Sequence, residues 1–175
     1  TINPVAGMAE TLGKSGAMLL SDCAQSCGKM ALPTADMLVV SAHKFGGPIG
    51  IGALLVRDFN LLEPMGGHER GYRQGTENKP GALGMAAALE AGEWATSPDT
   101  RADFASALAK DRLTIGEPVD CIYALTHPTL SAQALLIRLD GQGFAVSAGS
   151  ACSSGTRKKS RVRDAFGVPD DVAAR

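Results

Sequence analysis

Met37-Leu38-Val39-Val40-Ser41-Ala42-His43-Lys44-Phe45-Gly46-Gly47-Pro48 is the stretch on which the fold turns. The apolar run at 37–40 shows no alternation, the pattern of a strand covered on both faces, as in sheets flanked by helices. It ends in a hydroxyl, an imidazole and an amine. The glycines that follow lack a Cβ and let a ligand approach the backbone closely. Lys44 at the end of a buried strand therefore has the placement of a lysine that forms an imine with an aldehyde.

Outward from this stretch the same alternation of elements continues. Residues 5–14 read as a short helix, and 17–20 follow Gly16 as a brief apolar strand ending in Ser21-Asp22. Residues 50–56 form another apolar run without strict alternation, so the strands are expected in a covered, mostly parallel sheet of an α/β fold. The Gly-rich, polar span 64–81 reads as a long functional loop, and alanine-rich 82–95 as a helix. A helix over about 101–113 is expected after the start signal Ser97-Pro98-Asp99-Thr100. Residues 121–125 read as a strand, 131–139 as an amphipathic helix capped by Ser131, 145–147 as a short strand and 160–166 as a helix. The apolar pattern weakens around 92–116. This predicts a cofactor-type large-domain portion at 1–92 and a smaller C-terminal α+β lobe at 93–175, with no internal repeat.

Composition narrows the classes of function. The chain has 175 residues, 45% of them hydrophobic, with 21 glycines, an ordinary balance for a soluble α/β protein. Its 17 basic and 18 acidic residues nearly cancel, so no global field favours nucleic acid or an anionic membrane. No stretch reaches the roughly 20 apolar residues of a membrane span, and Thr1-Ile2-Asn3-Pro4 lacks a signal-peptide layout, so a cytoplasmic location is expected. The cysteines Cys23, Cys27, Cys121 and Cys152 are expected as reduced thiols. Cys23 and Cys27 with His43 lack the paired spacing of structural zinc, and no metal site is assigned.

Asp22 and Gln25 follow one expected strand and Lys44 the next, so a parallel sheet would bring all three to one carboxyl edge, where α/β sheets bind ligands. An aspartate there can keep a pyridine nitrogen protonated, an amide can contact a ring oxygen, and a lysine can hold an aldehyde. Ser41 and His43 add donors suited to a phosphate. These are the requirements of pyridoxal 5'-phosphate.

At these residues the sequence resembles the class V aminotransferases, pyridoxal-phosphate enzymes of fold type I, and among them the cysteine desulfurases of the NifS and IscS type. Ser21-Asp22-Cys23-Ala24-Gln25-Ser26-Cys27-Gly28-Lys29 is similar to the family's Asp-x-x-Gln segment. Ser41-Ala42-His43-Lys44 with Gly47-Pro48-Ile49-Gly50-Ile51-Gly52 is similar to its cofactor-lysine segment. Gly66-Gly67-His68-Glu69-Arg70-Gly71-Tyr72-Arg73-Gln74-Gly75-Thr76-Glu77-Asn78 resembles its phosphate-contact loop, and Ser147-Ala148-Gly149-Ser150-Ala151-Cys152-Ser153-Ser154-Gly155-Thr156 the mobile loop carrying the desulfurase cysteine.

The resemblance implies a role for each matching position. Lys44 would hold the cofactor and move protons, Asp22 would pair with the pyridinium nitrogen, and Gln25 would contact the ring hydroxyl. Ser41 and His43 would bind phosphate, and Thr76 would reach the phosphate of a neighbouring subunit, which requires a homodimer. Cys152 would take sulfur from L-cysteine as a persulfide, leaving L-alanine. The sulfur would pass to an acceptor or iron–sulfur scaffold protein, for iron–sulfur cluster or thio-cofactor assembly. Selenocysteine lyase, another class V aminotransferase, and a degenerate non-catalytic partner subunit are the alternatives.

Several other positions have plainer readings. Arg157, Lys158, Lys159, Arg161 and Arg163 form a basic run just after the cysteine loop, either a solvated face or a docking patch for an acidic acceptor. His68 and Glu69 read as loop structure, Tyr72 and Arg73 as interface, and Asn78 as a helix cap. The family's enzymes are considerably longer. The chain therefore reads as an incomplete version of the fold, without the upstream ring that stacks on the cofactor or the downstream arginine that holds the substrate carboxylate.

Overall fold

The computed structural model describes residues 1–92, 96–148 and 161–173. The chain divides into two compact units, Pro4–Thr96 and Ser97–Arg175 with Thr1–Asn3.

The first unit opens with helix α1 (Val5–Gly13) and strand β1 (Leu20–Asp22), followed by β2 (Met37–Ser41), β3 (Gly52–Val56) and helix α2 (Lys79–Ala91). β1 begins later than the apolar run at 17–20 suggests. Pairing starts only where Leu20 lies beside Met37. β2 is the centre of the three-stranded sheet, parallel to β1 (Leu20 beside Met37, Asp22 beside Val39) and antiparallel to β3 (Met37 opposite Val56, Ser41 opposite Gly52).

The expectation of a mostly parallel sheet is thus corrected within the described residues, where one pair is parallel and the other antiparallel. The connection explains the difference. A parallel return needs a crossover of a dozen or more residues, usually helical. The segment between β2 and β3 instead holds one tight 3-10 turn, Ala42–Lys44, and folds straight back. The expected covering is also incomplete, since Leu54 is 48% and Leu55 42% exposed on β3.

Asp36 fastens the opposite end of the sheet. Its carboxylate accepts from the Leu19 amide at 2.7 Å and pairs with Arg57 at 2.8 Å, while its carbonyl accepts from the Arg57 amide at 2.9 Å. One side chain thereby ties the start of β1 and the end of β3 to the start of β2. The buried core lies nearer the other end and consists of Cys23, Cys27, Val40, Ala42 and Phe45, with Leu32, Leu38, Ile51, Met85 and Ala88 packed on it. α2 reaches this core through Met85 and Ala88. It begins at Asn78, whose Oδ1 accepts from the Gly81 amide at 3.0 Å, as the cap expected from the sequence.

The second unit contains α3 (Pro98–Ala107), β4 (Arg112–Leu113), β5 (Ala124–Leu125), α4 (Ala132–Asp140), α5 (Arg161–Ala165) and α6 (Asp170–Ala173). Ser97 caps α3 by accepting from the Thr100 amide, and Ser131 caps α4 by accepting from the Ala134 amide. The helix expected over 101–113 stops at 107. Arg112 and Leu113 instead pair antiparallel with Leu125 and Ala124, and the Thr126 amide donates to the Asp111 carbonyl at 2.8 Å. The strand expected at 121–125 is correspondingly shorter, because Tyr123 turns its hydroxyl to the carbonyls of Arg101 and Asp120. Residues 145–147 join no ladder among the described residues, so the short strand expected there does not form.

Candidate active site

Because β1 and β2 are parallel, Asp22 and Ser41 leave the sheet at the same carboxyl edge. Ser41 keeps extended backbone, and the chain then tightens into the 3-10 turn carrying His43 and Lys44. The turn is held from below. Ala42 and Phe45 are fully buried, and the Ala42 carbonyl accepts from the amides of both Phe45 (3.0 Å) and Gly47 (2.9 Å). A Cβ on Gly47 would sit 2.8 Å from the Ala42 Cβ, so the closeness of this turn depends on glycine. His43 is exposed and Lys44 half-buried, and the Lys44 amine makes no hydrogen bond or ion pair among the described residues.

The neighbouring turn after β1 is built on two thiols. Cys23 is 2% and Cys27 6% exposed, the Cys23 amide donates to the Val39 carbonyl at 2.8 Å, and the Cys27 amide donates to the Cys23 carbonyl at 2.9 Å. With Cys23 and Cys27 turned into the core, Asp22 and Gln25 are left outside and exposed. Asp22 Oδ1 accepts from the Ala24 amide at 2.9 Å, which orients the carboxylate, and Gln25 Oε1 accepts from Lys29 Nζ at 3.3 Å. Burial pushes the Cys27 thiol up, with the neighbouring Cys23 adding to it. Both side chains pack as small core residues.

The span before α2 is a tightly bonded loop. Its 3-10 turn, Glu69–Gly71, has Glu69 and Arg70 in the left-handed region at φ 49° and 60°. The Gly66 amide donates to the Gly71 carbonyl at 2.7 Å, and His68 and Arg73 exchange backbone hydrogen bonds at 3.1 Å. Tyr72, expected at an interface, stacks on Phe59 at 5.1 Å. Arg73, also expected at an interface, bonds to its own loop. Its Nη1 donates to the carbonyls of Gly75 (3.2 Å) and Thr76 (3.1 Å), and its Nε lies 3.7 Å from Glu69. His68 Nδ1 meets Glu77 Oε1 at 2.7 Å. The Glu77 carboxyl is held below the usual range by its own backbone amide first, then by the His68 ring. Thr76 lies exposed between these two attachments, its hydroxyl free of any bond among the described residues.

The first unit thus gathers Asp22, Gln25, Ser41, His43 and Lys44 on adjoining strand ends, with Thr76 on a separate, braced loop. Cys152 lies outside the described residues, as do Arg157, Lys158 and Lys159 of the basic run, whereas Arg161 and Arg163 stand on α5. The sequence reading did not find the grip of Arg73 on the Gly75 and Thr76 carbonyls. Its only signal was an arginine a few residues before a Gly-Thr pair.

A family model described as aminotransferase class-V matches residues 1–169, and the chain belongs to this family. Among its curated relatives, a cysteine desulfurase of Cereibacter sphaeroides is 34% identical over 195 residues, covering 99% of this chain and 49% of the relative. One of Bradyrhizobium diazoefficiens is 36% identical over 190 residues, covering 97% and 48%. Of solved structures, one described as SspA in complex with cysteine superposes with a TM-score of 0.78 at 26% identity, over 100% of this chain and 53% of that one. A NifS-like protein gives 0.77 at 28% identity, over 99% and 50%. The chain spans about half the length of the curated relatives it matches.

Proposed function

We propose that the protein carrying this chain is a cysteine desulfurase that uses pyridoxal 5'-phosphate. The observation that carries the reading is the shared carboxyl edge of β1 and β2, with a carboxylate and an amide on one strand end and, on the next, a hydroxyl, an imidazole and an amine that makes no bond among the described residues. This donor set fits the cofactor part by part. Lys44 Nζ matches its aldehyde, Asp22 its ring nitrogen, Gln25 its ring oxygen, and Ser41 and His43 its phosphate.

When bound, the cofactor supplies an electron-withdrawing ring that weakens bonds at the substrate α-carbon. The chain's own groups do the rest. Asp22 would pair with the ring nitrogen, Gln25 would contact the ring oxygen, and Lys44 would carry a proton to and from the substrate carbon at Nζ. Cys152 Sγ attacks the substrate sulfur, the carbon–sulfur bond breaks, sulfur remains on Cys152 as a persulfide, and a proton on carbon completes alanine. A free thiol ionises near pH 8.5, so only a few per cent is thiolate at neutral pH without a nearby positive charge or base.

The same reading assigns 1–92 to the cofactor-binding domain and 93–175 to the smaller C-terminal lobe. It makes the protein a homodimer, with Thr76 reaching the phosphate of the neighbouring subunit, and gives the sulfur to an acceptor or iron–sulfur scaffold protein. Cys23, Cys27 and Cys121 are free thiols, which suits the reducing cytoplasm. Among the described residues no helix is long and apolar enough to cross a membrane. The test is Cys152→Ala in the intact protein with L-cysteine as substrate. Sulfide release is expected to fall by about a thousandfold or more, the scale of losing a covalent nucleophile. Release at the unsubstituted rate would refute the assignment.

A further inference from the structure

We infer that Arg73 is a positioning residue for the cofactor's phosphate, acting through Thr76. The inference rests on the reading of Thr76 as a phosphate contact and adds the group that sets it. Two attachments flank the Thr76 hydroxyl: Arg73 Nη1 donates to the carbonyls of Gly75 and of Thr76 itself at 3.2 and 3.1 Å, and the carboxylate of the next residue, Glu77, meets His68 at 2.7 Å. Asn78 then fixes the start of α2.

Arg73 is itself fixed. Its backbone exchanges hydrogen bonds with His68, and the adjacent Gln74 side chain donates to the Met65 carbonyl at 2.7 Å. A Cβ on Gly66 would collide with the Arg73 carbonyl, so the strand of loop beneath must be glycine. Glu69 and Arg70 sit in the left-handed region, where strain persists only if the surroundings over-determine the backbone. A loop this braced holds one hydroxyl at a set place without using that hydroxyl in the bracing. An arginine fork that spans two carbonyls suits this task, because its donors are planar and preorganised, whereas a lysine offers one flexible point charge.

The experiment compares binding of pyridoxal 5'-phosphate with that of pyridoxal, which lacks the phosphate, in the intact protein. Thr76→Val is expected to lower the preference for the phosphorylated form by about tenfold or more, the scale of a lost hydrogen bond to a charged group. Arg73→Gln is expected to lower it by a similar factor, with no further drop when the two are combined. Glu69→Gln, which leaves the carbonyl grip in place, should stay within about twofold of the unsubstituted ratio. Equal loss for both ligands in Arg73→Gln would mean a structural role only, and additive losses would mean an independent phosphate contact. Either overturns the inference. If Arg73→Gln fails to fold, Arg73→Lys replaces it. A folded Lys variant with an unchanged ratio is equally contradictory. An unchanged ratio in Thr76→Val would instead remove the reading beneath, and the two failures are distinguished by which single variant responds.

Discussion

Cys27 shows how a residue's surroundings decide its chemistry. Its thiol lies in the core, and burial, then the nearby Cys23, raise its pKa. A raised thiol pKa favours the neutral form in the folded state. Its contribution to stability is therefore complete below the ordinary thiol value, near pH 8.5–9, and is lost as pH rises through the folded value. Denaturant unfolding followed from pH 7 to 10 should show stability falling at the alkaline end, and less so in Cys27→Ala. Iodoacetamide at neutral pH should modify the more exposed Cys121 well before Cys27. Rapid labelling of Cys27 in the folded protein would contradict this. At this scale the sequence was informative where chemistry follows residue type: a carboxylate, an amide and a lysine at strand ends could be read directly. Burial of Cys23 and Cys27 could not, because a four-residue spacing in a turn does not say which side faces the core. Nor could the inward grip of Arg73, which depends on loop geometry rather than on any periodic pattern.

Among the elements, β3 carries the main departure from expectation. A continuous apolar run at 50–56 signals strand, but strand direction is decided by the connection, and the tight turn carrying Lys44 leaves no room for a crossover. The helix expected over 101–113 outruns α3 because 108–113 contains helix-compatible residues, and pairing of Arg112 and Leu113 with β5 overrides that weak preference. The caps Asn78, Ser97 and Ser131 were legible because capping is local chemistry. α2 offers a test of packing against propensity. Gly84→Ala gains up to about 1 kcal/mol of helix propensity. The new Cβ, however, would lie 2.6 Å from Pro48 Cγ, on a ring tied to the backbone of the lysine turn. Overpacking typically costs about 1–3 kcal/mol. Net destabilisation is expected, read as a lower midpoint of denaturant unfolding, and an increase in stability would show that α2 does not press on this turn.

For the whole molecule, family membership rests on a match over residues 1–169, and the proposed activity on what the four ordered motifs would assemble. Asp22, Gln25, Ser41, His43 and Lys44 lie at or just beyond the ends of the adjoining parallel strands β1 and β2, while Cys152, the nucleophile of the proposed reaction, lies outside the described residues. The direct test is to incubate the intact protein with L-cysteine and pyridoxal 5'-phosphate, digest it and weigh the peptides. The account predicts one added sulfur atom, removable by a thiol reductant, on the peptide that contains Cys152, together with an equal amount of alanine. Alanine without sulfur on that peptide, or sulfur carried on Cys23, Cys27 or Cys121 instead, would contradict it.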